Sequence, residues 1–382
     1  QGGYAKYADE AGSITLNGGS SVNVSTPGGS YNTVTGVAVG YGGRKKARVR
    51  RGGGYASSLT LNGSSSINVG DADGGLDVGR RVMGRENKYI GASFGGHDGV
   101  LTLNDTSSIN VTPAPGSASG IGIDVNAQNS EVTLNGSSSV SVSGEASYAA
   151  YGIRLYGGAN VVTLNGTSSV QANGSGGYVA AVSMRGYYND LVLNDESLVA
   201  SSNGLGVVVW RGNYNNVEMN GDASVQAYGT GIALIDQRSA TLTLNDNASV
   251  VAETGEGIVV DYANNTVITL NGSSSVVGDK AGIVVLGEYE DCCDTYYSHD
   301  VEIFVNAGAS VTGKTGIVFA ENTYNSQIFV GGTVTGTMGT AIDFSDAGNN
   351  TLILGTGAVL NGDVVGADGG VDALVLTGQG VL

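Results

Sequence analysis

Apolar and polar residues alternate along this chain in short runs, and the runs recur. The segment "TLTLNDNASVVAETGEGIVVDYANN", residues 241–265, shows the pattern at its most compact: Leu242 and Leu244, then Val250, then Ile258 and Val260, separated by Asn, Gly and charged residues. A period of two marks strands that bury one face. Three such strands in about 25 residues predict one triangular coil of chain.

The same unit repeats through the sequence. Aligned on the residue that follows the first apolar strand, the anchors are Asn17, Asn62, Asn104, Asn135, Asn165, Asn194, Asn220, Asn245, Asn271, Asn306, Gly331 and Gly355. One coil cannot cover its inward side chains from above and below, so burial requires stacking. The expectation is an all-β, right-handed parallel β-helix of about a dozen three-stranded coils, forming a single domain over residues 1–382. The anchor asparagines are expected at a corner where Asn tolerates a left-handed backbone, their amides stacked as a ladder. That ladder competes with another meaning of "NGS" or "NGT" at Asn62, Asn135, Asn165 and Asn271, which also fit a glycosylation acceptor; the corner position favours the structural meaning. Extra length enters as insertions at Gly36 to Ser58, Gly70 to Gly99, Pro113 to Ser119 and Gly287 to Asp300, and such loops are where function is sought.

Composition agrees with this picture: 65 glycines with 13 % charged residues leave little material for helices. The net charge of −17 argues against a nucleic-acid binder. Residues 1–100 nevertheless carry eleven basic and seven acidic side chains, net +4, so the basic character gathers near the N-terminus. No apolar run reaches the roughly 18 residues of a membrane span. The opening "QGGYAKYADE" lacks the regions of a signal peptide, so a signal was either removed before Gln1 or never existed.

The repeat "LTLNGSSSV" with its following "GI" and "NN" resembles the passenger domain of type V autotransporters, particularly self-associating and adhesive members. The closing stretch from Asn349, "NNTLILGTGAVLNGDVVGADGG", resembles the last passenger coils, although no membrane barrel follows and the chain stops at Leu382. The resemblance implies an adhesin, secreted or displayed on a Gram-negative outer membrane, that binds itself, a host-surface protein or a glycan. It also fits the adjacent Cys292 and Cys293, since passengers are poor in cysteine and keep any pair close together; the two are either bonded to each other or reduced. No cofactor or metal is expected.

Three groups of residues break the repeat. The first is basic: Arg44, Lys45, Lys46, Arg48, Arg50 and Arg51, then one coil later Arg80, Arg81, Arg85 and Lys88, which together suit phosphate, sulfate or an acidic glycan. The plainer meaning is a solvated loop. The second is a stripe ahead of the anchors: Arg185, Arg211 and Asp236 lie nine residues before theirs, Tyr188 and Tyr214 six before, with Trp210 beside them. Aromatic faces with polar neighbours suit sugar rings, unless the tyrosines merely cover turns. The third is the acidic loop "GEYEDCCDTYYSHD", whose carboxylates match no calcium motif.

Catalysis has little support at this level. His97 and His299 are far apart and there is no "GxSxG" elbow, so the chain is expected not to be an enzyme. The alternatives to an adhesin are a polysaccharide-degrading β-helix enzyme, drawing on Arg185, Arg211, Asp236 and Asp261, and a structural filament protein.

Overall fold

The computed structural model describes residues 13–26, 33–39, 57–71, 88–113, 117–144, 146–174, 177–290, 295–367 and 372–377. Every regular element among them is a β-strand. The strands pair in parallel from coil to coil, which makes the chain a parallel β-helix. It divides into two compact units, Gln1–Val182 and Ser183–Leu382.

In the first unit the anchor strands Ser13–Leu16, Ser58–Leu61, Val100–Leu103, Glu131–Leu134 and Val161–Leu164 pair residue for residue. Leu61, Leu103, Leu134 and Leu164 therefore stack directly above one another, and all four are fully buried. The second unit repeats this with Asp190–Leu193, Asn216–Met219, Thr241–Leu244, Val267–Leu270, Glu302–Val305, Gln327–Val330, Thr351–Leu354 and Ala373–Leu376. A one-residue slip would turn the buried leucines and valines of these strands into solvent, so the alternation itself fixes the register.

The asparagine ladder exists in both units. Asn62 Nδ2 donates to Asn17 Oδ1 at 2.8 Å, Asn104 to Asn62 at 2.8 Å, Asn135 to Asn104 at 2.9 Å and Asn165 to Asn135 at 2.8 Å. In the second unit Asn220 donates to Asn194, Asn245 to Asn220, Asn271 to Asn245 and Asn306 to Asn271, at 2.8–3.0 Å. Asn62, Asn135 and Asn271 thus each use their amide on both sides, and a glycan there would break the ladder. The backbone detail differs from expectation. The left-handed residue is not the asparagine but the one after it, Gly63, Gly136, Gly166, Gly221 and Gly272, or Asp105, Asp195 and Asp246. This is why Gly or Asp follows the anchor.

The recurrent "GI" has a steric origin. A Cβ on Gly257 would lie 2.5 Å from Val276 Cγ1 and 2.6 Å from the Gly282 carbonyl, so the third strand approaches its neighbours more closely than any side chain allows.

The insertion at 287–300 is not simply a loop. Glu288–Glu290 and Thr295–Tyr297 pair antiparallel, Glu288 opposite Tyr297. Ser298 then pins the returning chain, its hydroxyl donating to the Leu286 carbonyl at 2.5 Å and accepting from the Ala263 amide at 3.1 Å. His299 re-enters the solenoid, bridged in parallel to Asn264 on one side and Tyr324 on the other.

Candidate functional site

The outward residues of the second unit gather at one turn, between the third strand of each coil and the next anchor strand. Two left-handed positions shape it. Nine residues before the anchors, Arg211, Asp236, Tyr262 and Asn322 have φ of 50–63°. Six before, Tyr188, Tyr214, Ser239, Asn265, Asp300, Asn325 and Asn349 have φ of 51–57°. The amides of this second column donate across to the next coil, Tyr188 to the Asn213 carbonyl, Tyr214 to Arg238, Ser239 to Asn264 and Asp300 to Tyr324, at 2.8–3.3 Å. Beneath the turn lie buried amides: Asn215 Nδ2 donates to the Gly186 carbonyl and to Gln237 Oε1, both at 2.8 Å, and Asn215 Oδ1 accepts from the Asn189 amide at 2.9 Å. Satisfied buried polar groups of this kind hold a turn in one conformation.

The turn carries a cavity of about 180 Å³ lined by Asp236, Arg238, Tyr262, Asn264, Tyr297, His299 and Tyr324. His299 is its most constrained member. Its ring stacks on Tyr324, centroids 5.3 Å apart at 18°, and its Nδ1 lies 2.7 Å from Asp300 Oδ2. A carboxylate at Nδ1 holds the proton there and leaves Nε2 as the basic nitrogen. Tyr297 meets Tyr324 edge-on at 6.1 Å. The cavity thus offers a cation, an oriented imidazole and three phenols, but its lining contains one carboxylate.

Beside it, Asp261 is poorly solvated. It sits in register between Ile235 and Leu286, and its Oδ1 is buried without a hydrogen-bond partner in the protein. Burial pushes its pKa from 3.8 to about 6. Because the folded-state value exceeds the unfolded one, the contribution of Asp261 to stability is most favourable below about pH 4 and is lost as pH rises through 6. After allowance for its partial exposure, the cost at neutral pH is about 1–2 kcal/mol. Asp261→Leu, which continues the Ile235 and Leu286 column, is expected to raise the unfolding free energy at neutral pH by that amount and to flatten this part of the pH dependence in urea melts. An unaltered profile would refute the assignment.

The sequence-read stripe is assembled here. Arg185 and Arg211 both approach the Trp210 ring, at 5.6 and 5.1 Å from its centroid, and Arg211 Nε lies 3.6 Å from Asp236 Oδ2. Tyr188 and Tyr214 stack at 5.0 Å and 7°. Lys88 begins the strand Lys88–His97 of the first unit, opposite Thr33 and Ser119, and is not part of this site. Arg44, Lys45, Lys46, Arg48, Arg50, Arg51, Arg80, Arg81 and Arg85 lie outside the described residues, as do Cys292 and Cys293. Sequence reasoning missed the cavity. Counting back seven from the anchors gives Arg238, Asn264, His299 and Tyr324, so the signal was the one that located the stripe, applied two residues further on.

No protein-family model matches the chain, and no curated protein does so by sequence. Among solved structures, it is similar to the mannuronan C-5 epimerase AlgE6 A-module of Azotobacter vinelandii, with 12 % identity, a TM-score of 0.35, and coverage of 86 % of this chain and 92 % of that one. A periplasmic alginate epimerase, AlgG, follows with 11 % identity, a TM-score of 0.30, and 86 % and 77 % coverage. The AlgE4 A-module of Azotobacter vinelandii has 12 % identity, a TM-score of 0.30, and 85 % and 91 % coverage. At such identities the likeness concerns the fold alone. Against the expectation that the chain is not an enzyme, the solved β-helices to which it is similar are a mannuronan C-5 epimerase module and alginate epimerases.

Proposed function

We propose that this chain acts on an acidic polysaccharide, holding a sugar carboxylate at Arg238 and exchanging the proton on the adjoining carbon through His299. The observation that carries this reading is a cavity in which Arg238, three tyrosines and His299, itself paired with Asp300, meet. Each has a role in that chemistry. A guanidinium neutralises the carboxylate and stabilises the enolate-like charge that develops as the proton leaves. The imidazole Nε2 accepts the proton, its ring oriented by Asp300. A phenol of Tyr262, Tyr297 or Tyr324 returns a proton, either to the carbon, which inverts it, or to the leaving glycosidic oxygen, which cleaves the chain.

Hydrolysis by paired carboxylates suits the cavity less well, since Asp236 is the one carboxylate in its lining. Binding without turnover is the second reading, favoured by the exposed aromatic and cationic stripe; it corresponds to a surface-displayed passenger that adheres to glycan. In either case the polymer substrate supports a location outside the cytoplasm.

Incubation with alginate and polygalacturonate in heavy water tests the main reading. Deuterium at the carbon bearing the carboxylate, or ultraviolet-absorbing unsaturated ends, is the expected result, and His299→Ala should reduce it by about 10²–10⁴-fold. Neither signal on any uronate polymer would sink the catalytic reading.

A further inference from the structure

We infer that Tyr188 and Tyr214 form a seat for one pyranose ring of a polysaccharide that runs on to the His299 cavity; this rests on the reading above for the class of ligand and adds its length. The first support is backbone conformation. Both tyrosines occupy the left-handed column, φ 57° each, where Asn265, Asp300, Asn325 and Asn349 show the residues that the position accepts easily. Tyrosine in two successive coils is a costly choice for a turn that asparagine closes well, and strain of this kind collects where a side chain is used.

The second support is what the rings do. They stack at 5.0 Å and 7° and remain 58 % and 52 % exposed. Stacking spends one face of each ring. The next residue in the column beyond Tyr214 is Ser239, one coil spacing or ~4.8 Å on, and its side chain is too short to extend the stack. The apolar C–H face of a pyranose fits against an aromatic ring there. Its hydroxyl rim would meet Arg238, adjacent to Ser239 in the chain, and Asn264, the next residue in that column, both of which line the cavity.

The distance defines the ligand further. From Tyr214 the column passes Ser239 and Asn265 to reach Asp300, three coil spacings or ~14 Å. One sugar ring cannot occupy both the seat and the His299 cavity. The substrate is therefore a polymer or a long oligosaccharide lying across successive coils.

Trp210 is the only tryptophan in the chain and precedes Tyr214 by four residues in the same coil, so its fluorescence reports occupancy. Titration with alginate and polygalacturonate fragments of increasing length, and with a neutral β-glucan for comparison, gives the test. For the longer uronate fragments, Tyr188→Asn combined with Tyr214→Asn should lower affinity tenfold or more, with a melting temperature at or above that of the wild type. The corresponding phenylalanine pair should retain affinity. Unchanged affinity in the asparagine pair overturns the proposal. So does lost affinity with a lower melting temperature, because the tyrosines would then be holding the turn. Wild-type protein that titrates but exchanges no proton sinks the catalytic reading and leaves the seat standing; wild-type protein that does not titrate with any fragment removes the seat.

Discussion

Asp124→Ala should destabilise the first unit by about 3–5 kcal/mol, far more than loss of a surface ion pair. Asp124 and Arg154 lie directly opposite each other on neighbouring parallel strands, and their side chains are only 9 % and 15 % exposed. The contact is bidentate, Arg154 Nε to Asp124 Oδ1 at 3.0 Å and an Nη to Oδ2 at 2.8 Å. The guanidinium is further enclosed by Tyr151 and Tyr156, 5.6 and 5.1 Å from their ring centroids. Alanine at 124 leaves a desolvated cation that cannot release its proton, since arginine stays charged in proteins. Replacing both members with apolar residues, Asp124→Leu with Arg154→Met, should recover most of the loss, because the pair repays its own desolvation poorly. Urea melts followed by circular dichroism measure both. A loss below 1 kcal/mol in the single variant would show that the cation reaches water.

Leu244→Ala should cost about 2–5 kcal/mol. Leu244 is fully buried and stacked between Met219 and Leu270 of the adjoining coils. The cavity cannot close by shifting a strand, because both flanking backbones are hydrogen-bonded in register. The effect is shared by three coils, since a solenoid is held by nearest-neighbour interfaces. Val277, outward on its strand and 39 % exposed, provides the contrast; its replacement by alanine should stay within about 0.5 kcal/mol. Equal losses at the two positions would mean that the alternation does not decide what is buried.

The core was legible because it obeys a short-range rule. Alternation places Leu242 and Leu244 inside whatever the neighbouring coil contains, and the repeat spacing then supplies the neighbour. The limits appear where chemistry departs from polarity. Ser138, Ser168 and Ser274 sit in "SSS"-like runs and Ser197 follows two acidic residues, so all look solvated, yet all are fully buried, with hydroxyls that have no hydrogen-bond partner in the protein. Ala223, Ala248 and Ala309 at the equivalent place in other coils were the available hint. The Asp124–Arg154 pair was hidden for a related reason: 30 residues separate its members, and only the anchor spacing from Asn135 to Asn165 shows that this equals one coil.

At the candidate site, equal offsets from the anchors located Arg185, Arg211, Tyr188 and Tyr214. The same offsets reach His299, seven residues before Asn306, only once the chain is known to return to the column after its insertion. The return depends on Ser298 and a short antiparallel hairpin, a local hydrogen-bonding solution that no periodicity encodes. The separation of the site from the core is equally physical. A side chain two positions along a strand repeats its face, whereas a turn residue answers to φ and to its ligand.

That separation governs how such a chain can change over generations. Tyr214, Arg238 and His299 stand on turns whose backbone contacts run through main-chain amides and carbonyls, while Leu244 and its neighbours answer only to each other. Selection can therefore revise the recognition face one coil at a time, with little penalty to the packed interior. Inheritance of the scaffold and turnover of its specificity proceed as nearly independent histories within one polypeptide.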